Sequence, residues 1–170
     1  MPPRARHDCP ATLSKEVVLT APEPPARGKN PAARGSAAFI TVVAAAIRDE
    51  QERLLLQQRA PGKRHAGQWE LPGGKVDPGE VPRAALRREI AEELGVTLDS
   101  LSLCPIGFAE EQGERNAPAI VLLLYGARIA RGRPVAREGQ PWGWFSRAEA
   151  LQLDLAPMDR ALIEPTPLAV

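Results

Sequence analysis

Between Gly74 and Val96 the chain reads GKVDPGEVPRAALRREIAEELGV, and no other stretch restricts the fold as strongly. Leu71-Pro72-Gly73-Gly74 ends an apolar segment with a turn that small, flexible residues allow. Asp77-Pro78-Gly79 is a second turn, and Glu80 precedes a helix predicted from Val81 to Leu94. Pro82 falls in the first helical turn, where its missing N–H costs nothing, and Gly95 supplies the stop. Leu86, Ile90 and Leu94 recur every four residues and predict the buried stripe. At about 100° per residue, Glu93 lies roughly 60° from the centre of that stripe and Glu89 roughly 100°, with Glu92 further out. Carboxylates so spaced repel one another by about 0.2–0.5 kcal/mol per pair. A divalent cation turns that repulsion into attraction, because hard ions such as Mg²⁺ take carboxylate oxygens and keep positions open for phosphates. The competing reading is a solvated acidic face. Glu93 beside the apolar stripe argues against it.

The same stretch fits G-x5-E-x7-R-E-U-x-E-E-x-G-U, with U aliphatic, at every specified position: Gly74, Glu80, Arg88, Glu89, Ile90, Glu92, Glu93, Gly95 and Val96. It resembles the Nudix box, the signature of hydrolases that cleave nucleoside diphosphates linked to another group. That resemblance implies an α/β/α sandwich with a mixed β-sheet. It also implies a divalent-metal cofactor, Mg²⁺ with Mn²⁺ as a substitute, and a nucleotide substrate. Arg88 has two readings, a surface cation or a guanidinium orienting Glu89 through bidentate hydrogen bonds. The box favours the second.

A chain of 170 residues with 44% hydrophobic content suits one core. Residues 1–36 carry a net charge of +3 and hold seven prolines, whereas the remainder is net −2. Such an arm buries too little to offset chain entropy, so 1–36 reads as disordered and 37–170 as the catalytic domain. A plain flexible extension is favoured over a targeting or phosphate-attracting tail. A slightly acidic domain that must bind polyphosphate points to metal-mediated recognition and away from a nucleic-acid partner. No segment reaches the roughly 18 apolar residues of a membrane span. The start lacks the apolar core of a secretory signal. Cys9 and Cys104 fit no metal or redox spacing and suggest a reducing, cytoplasmic setting, with Cys104 a small core residue. Nothing in the chain sets an oligomeric state.

From Ala37 the pattern predicts a buried strand, Phe39 to Ile47, joined through the polar turn 48–52 to a partner strand, Arg53 to Arg59. Trp69-Glu70-Leu71 is a short strand entering the box. Strands follow at Leu101 to Ala109 and Ala119 to Ile129, and Gly143-Trp144-Phe145 closes the sheet. Helical turns are expected from Ser146 to Leu151 and from Pro157 to Glu164. Strands interleaved with helices in this order predict an α/β domain with helices on both faces of the sheet.

The flanks RLLLQQRAPGKRHAGQWELPGGK and REGQPWGWF are similar to those of MutT-type nucleoside triphosphate pyrophosphohydrolases. By that resemblance Arg59 and Lys75 contact phosphate oxygens. The Gly73 carbonyl, Glu89, Glu93 and Glu138 (of the E-G-Q run) hold metal, and Glu92 assists through an outer ion or its waters. Either Glu89 or Glu138 serves as base. Asp159, at the late loop-to-helix junction, either contacts the base or caps the last helix. The reaction implied is metal-dependent hydrolysis of a nucleoside triphosphate, oxidised ones included, to monophosphate and pyrophosphate, in the service of nucleotide-pool sanitation. Alternatives are ADP-ribose or a dinucleoside polyphosphate as substrate. Against these, Gln112 stands where ADP-ribose hydrolases carry proline, and the only tyrosine, Tyr125, is too far on for the diadenosine group. A non-catalytic Nudix-like binding module would be expected to carry a degraded box. This one is intact.

Overall fold

The computed structural model describes residues 39–113 and 117–164, so the reading of 1–36 as a disordered arm falls outside the described residues. Strand β1 (Phe39–Ile47) lies at the centre of a mixed sheet. It pairs in parallel with β7 (Ala119–Ala127) and antiparallel with β4 (Gly73–Lys75), and β6 (Cys104–Glu111) extends the sheet beyond β7. Both long apolar runs are buried because the sheet is covered on both faces. Val43, Ala45 and Ile47 pack with Leu86, Ile90 and Leu94 of helix α1 (Pro82–Leu94). The alternate residues Ala44 and Ala46 pack in a second core with Leu162 and Ile163 of helix α3 (Pro157–Ile163). The period of two along one strand thus builds both halves of an α/β/α sandwich.

Two expectations about pairing are corrected. β2 (Leu54–Gln58) does not form a ladder with β1; one bridge, Arg48 with Leu54, joins them before they part. Both edges of β1 are already taken by β4 and β7, so β2 pairs instead with β3 (Trp69–Glu70) and β9 (Trp142–Phe145) in a second, antiparallel sheet. The Gly143-Trp144-Phe145 segment therefore closes that second sheet and not the first. The turn expected over Leu71–Gly74 is confined to a bend at Pro72, and the two glycines already belong to β4. Gly73 faces Ala44 across the ladder, where a Cβ would lie 2.0 Å from the Val43 carbonyl oxygen. Glycine at this position allows the close approach of two backbones.

Elsewhere the boundaries shift modestly. The strand expected from Leu101 starts at Cys104, because Asp99 receives the Leu101 N–H on its side chain and Ser102 N–H on its carbonyl, closing a turn. The chain also adds a small ribbon of β5 (Thr97–Leu98) and β8 (Ile129–Arg131). Helix α2 (Arg147–Ala150) opens with a capping box between Ser146 and Glu149. Cys104 is buried, as expected of a core residue. No helix among the described residues is long and apolar enough to cross a membrane.

Candidate active site

Helix α1 begins at Pro82 and ends with Gly95 at φ 67°, whose N–H returns to the Ala91 carbonyl at 3.1 Å. These stops set the phase of its three glutamates. Leu86, Ile90 and Leu94 are fully buried, so Glu93 is drawn inward to 6% exposure. Glu89 is half-buried and Glu92 is exposed. Glu89 lies over Gly74, where a Cβ would meet its carboxyl carbon at 2.2 Å. The second glycine of the pair therefore makes room for this side chain.

Arg88 ties the box together. Its guanidinium makes a two-pronged pair with Glu80 (Nη2 to Oε2 2.8 Å, Nε to Oε1 3.2 Å) and donates Nη1 to Glu89 Oε1 at 2.8 Å. Nη2 also reaches the Lys75 carbonyl at 3.1 Å, and Nη1 reaches Glu92 at 3.4 Å. The expectation of a bidentate bond to Glu89 is thus corrected: the fork goes to Glu80, and Glu89 receives one prong. Hydrogen bonds from Arg88 hold the Glu80 carboxyl below its ordinary range, and the carboxylates push the Arg88 pKa up. The arginine fastens helix to loop while turning Glu89 toward the β4 glycines.

A cavity of about 630 Å³ opens beside these groups. Gly73, Lys75, Glu89 and Glu93 line it, as do Arg59 and Asp159, so six expected site residues share one space, with Gly74 beside them. Glu138 and Glu92 do not line it. Glu138 is half-exposed, 3.9 Å from Lys63 Nζ, yet close enough for its charge to act on Glu93. Arg59 is engaged by protein: Nη1 pairs with Glu70, and Nε donates to the Arg64 carbonyl at 2.7 Å. Asp159, 3% exposed, accepts the Leu71 N–H at 2.8 Å. It is not the N-cap of α3, which is Ala156 without a side-chain cap.

Three groups escaped the sequence reading. Glu70 stands beside Arg59 on the cavity wall. Gln57, fully buried on β2, donates Nε2 to Glu93 Oε2 at 2.8 Å. Lys63 lines the cavity within electrostatic reach of Glu70 and Glu93. The available signal was polarity out of place, a charge within Trp69-Glu70-Leu71 and a glutamine ending Leu54-Leu55-Leu56.

Burial dominates the electrostatics. It pushes Glu93 up to about 7, with Gln57 opposing and the charge of Glu70 adding. It likewise pushes Glu70 to about 7 and Asp159 to about 6 against the pull of Arg59. A carboxyl raised above its unfolded value binds more protons when folded, so its stabilisation is lost as pH rises. For Glu93 the window runs from its ordinary 4.5 to about 7. In EDTA, Glu93→Gln should therefore be more stable than the parent at pH 8 by about 1–3 kcal/mol, with the difference vanishing near the unfolded pKa. Urea unfolding at the two pH values measures this, and equal stability at pH 8 would mean the carboxylate is solvated.

Glu93 is a buried carboxylate whose hydrogen-bond donor among the described residues is the neutral Gln57, and Lys63 acts on it through space against the burial. Gly73 and Glu89 border the same space with oxygen donors only, which is the chemistry a hard cation takes. Among the described residues no three His, Cys, Asp or Glu side chains are grouped tightly enough to enclose an ion. A cation here would complete its shell with carbonyl, water and phosphate oxygens, as Mg²⁺ does. The residues fit such an ion.

An α/β/α sandwich whose acidic helix and glycine pair border a nucleotide-sized cavity defines a phosphoanhydride hydrolase. The chain matches the NUDIX domain family over residues 38–165 and belongs to it. It is a Nudix pyrophosphohydrolase. It is 37% identical over 124 residues to a CTP pyrophosphohydrolase of Escherichia coli K12, covering 72% of this chain and 87% of that one. To an 8-oxo-dGTP diphosphatase of Haemophilus influenzae it is 38% identical over 109 residues, 64% of this chain and 77% of the relative. The crystal structure of a MutT NUDIX hydrolase from Burkholderia pseudomallei superposes with a TM-score of 0.66 at 31% identity, over 75% of this chain and 97% of that one.

Proposed function

We propose that the enzyme hydrolyses a nucleoside triphosphate to the monophosphate and pyrophosphate, with Mg²⁺ as cofactor, and that oxidised nucleotides are among its substrates. The observation that carries this reading is the shared cavity. Carboxylates suited to a phosphate-bound cation and a buried carboxylate suited to a base line the same 630 Å³ space. When bound, Mg²⁺ neutralises phosphate charge and polarises the phosphorus centre.

The chain's own groups divide the remaining work. Gly73, Glu89, Glu93 and Glu138 would hold the cation, with Glu138 approaching from its loop by releasing Lys63. Glu92 would act from outside through water. Arg88 orients Glu89 and fixes α1 against β4. Lys75 meets phosphate oxygens as a flexible point charge. Arg59, whose Nη1 is held by Glu70 and Nε by the Arg64 carbonyl, would meet phosphate through Nη2. Glu89 or Glu138 takes the proton from the attacking water. Asp159 offers an acceptor to an exocyclic amino group of the base.

Relatives named for CTP and for 8-oxo-dGTP match almost equally well, so the substrate is set by experiment. At fixed Mg²⁺, initial rates on 8-oxo-dGTP, dGTP, CTP, ADP-ribose and a diadenosine polyphosphate should show the triphosphates well ahead. The products should be monophosphate and pyrophosphate. A preference for ADP-ribose over every triphosphate would overturn the reading while leaving the family membership intact.

A further inference from the structure

Gln57 is out of place by composition. It is 1% exposed, follows Leu54-Leu55-Leu56 on β2, and occupies a position where an apolar side chain would satisfy the core. A buried amide is retained without cost only where both its ends are bonded. Its Nε2 donates to Glu93 Oε2 at 2.8 Å, and its Oε1 faces Gln140 Nε2 at 3.5 Å. Gln140 is itself buried, two residues beyond Glu138, and its own Oε1 is buried with no hydrogen-bond partner. The backbone repeats the connection on both sides. Arg137 N–H bonds to the Glu93 carbonyl at 2.9 Å, and Gln58 N–H bonds to the Pro141 carbonyl at 2.8 Å. The loop carrying Glu138 is thus fastened at one end to the helix that carries Glu93 and at the other to the strand that carries Gln57.

We infer that Gln57 and Gln140 form a buried amide relay, which positions the Glu93 carboxylate against the Glu138 loop and so strengthens divalent-cation binding. The inference rests on the proposed metal role of Glu93. Gln57 and Gln140 are positioning residues, acting through Glu93 and through the loop. A neutral amide suits this task, because it fixes one carboxylate oxygen and leaves the negative charge for the ion. An arginine or lysine in its place would cancel that charge.

The test measures Mn²⁺ binding directly, by paramagnetic titration of the full chain without nucleotide. The proteins are the parent, Glu93→Gln, Gln57→Leu, Gln140→Leu and the double leucine variant. Gln57→Leu should weaken Mn²⁺ roughly tenfold or more, the usual range for a group that orients a metal ligand. Its Tm in EDTA should fall modestly, since leucine leaves the buried Glu93 carboxylate and Gln140 Nε2 without their partner, so the Mn²⁺ affinity is the deciding readout. Gln140→Leu should weaken Mn²⁺ less, and the double variant should bind no worse than Gln57→Leu alone, as members of one chain are not additive. If Glu93→Gln weakens Mn²⁺ but Gln57→Leu leaves it unchanged, the relay is overturned and the metal reading stands. If Glu93→Gln itself leaves Mn²⁺ unchanged, both fall. A lowered Tm in EDTA with unaltered Mn²⁺ affinity would make Gln57 merely structural and also overturn the relay.

Discussion

Glu93→Gln is expected to lower kcat on the preferred triphosphate by on the order of 10²- to 10³-fold while the protein remains folded. The amide keeps the shape and can still accept the Gln57 N–H, so the buried contact at 2.8 Å survives. What goes is the one negative charge that the helix phase carries into the interior. Because Glu93 pays a desolvation cost in the empty protein, the variant should be at least as stable as the parent in EDTA above pH 7. Activity and Tm therefore move apart. A purely structural glutamate would lower both together. Near-normal turnover with Mg²⁺ present would remove Glu93 from the proposed machinery.

The second large effect is expected at Asp159 and concerns selectivity. Asp159→Asn preserves an acceptor for the Leu71 N–H and removes the charge offered to the base. Loss of a charge-assisted bond should cost about 1.5–3 kcal/mol for the preferred nucleotide, or roughly 10- to 150-fold in kcat/KM. Poor substrates should change little, so discrimination between bases narrows. Asp159→Ala should add a second consequence, because it leaves the buried Leu71 N–H without its partner. That orphaned donor costs about 1–3 kcal/mol of stability, visible in urea unfolding. If the Asn variant slows every nucleotide by one common factor, Asp159 holds the Leu71 backbone and does not read the base.

Much of the architecture was legible because it depends on local rules. Helix α1 was expected from Val81 to Leu94 and spans Pro82–Leu94, because its apolar period, its proline start and its glycine stop agree. The strands at β1 and β7 follow from apolar runs that only a sheet covered on both faces can bury. The approach of β1 to β2 was legible as far as the polar turn, but not the parting that follows. Pairing partners are chosen by which edges remain open, and that competition involves residues far away in sequence.

The same division runs through the candidate site. By itself the sequence determined the family, the phase of Glu89, Glu92 and Glu93 on their helix, and the two glycines in front of them. Each of these follows from short-range spacing and from the chemistry of the side chains. Tertiary structure alone decided that Arg88 spends its fork on Glu80, and that Glu70 occupies Arg59. It alone decided that Asp159 meets Leu71 and that Gln57 stands under Glu93. Those four contacts join groups that lie between 8 and 88 residues apart in the chain. The physical reason is desolvation: a polar group taken out of water must find a partner, and the partner is whichever one the packing of the sheets brings within reach.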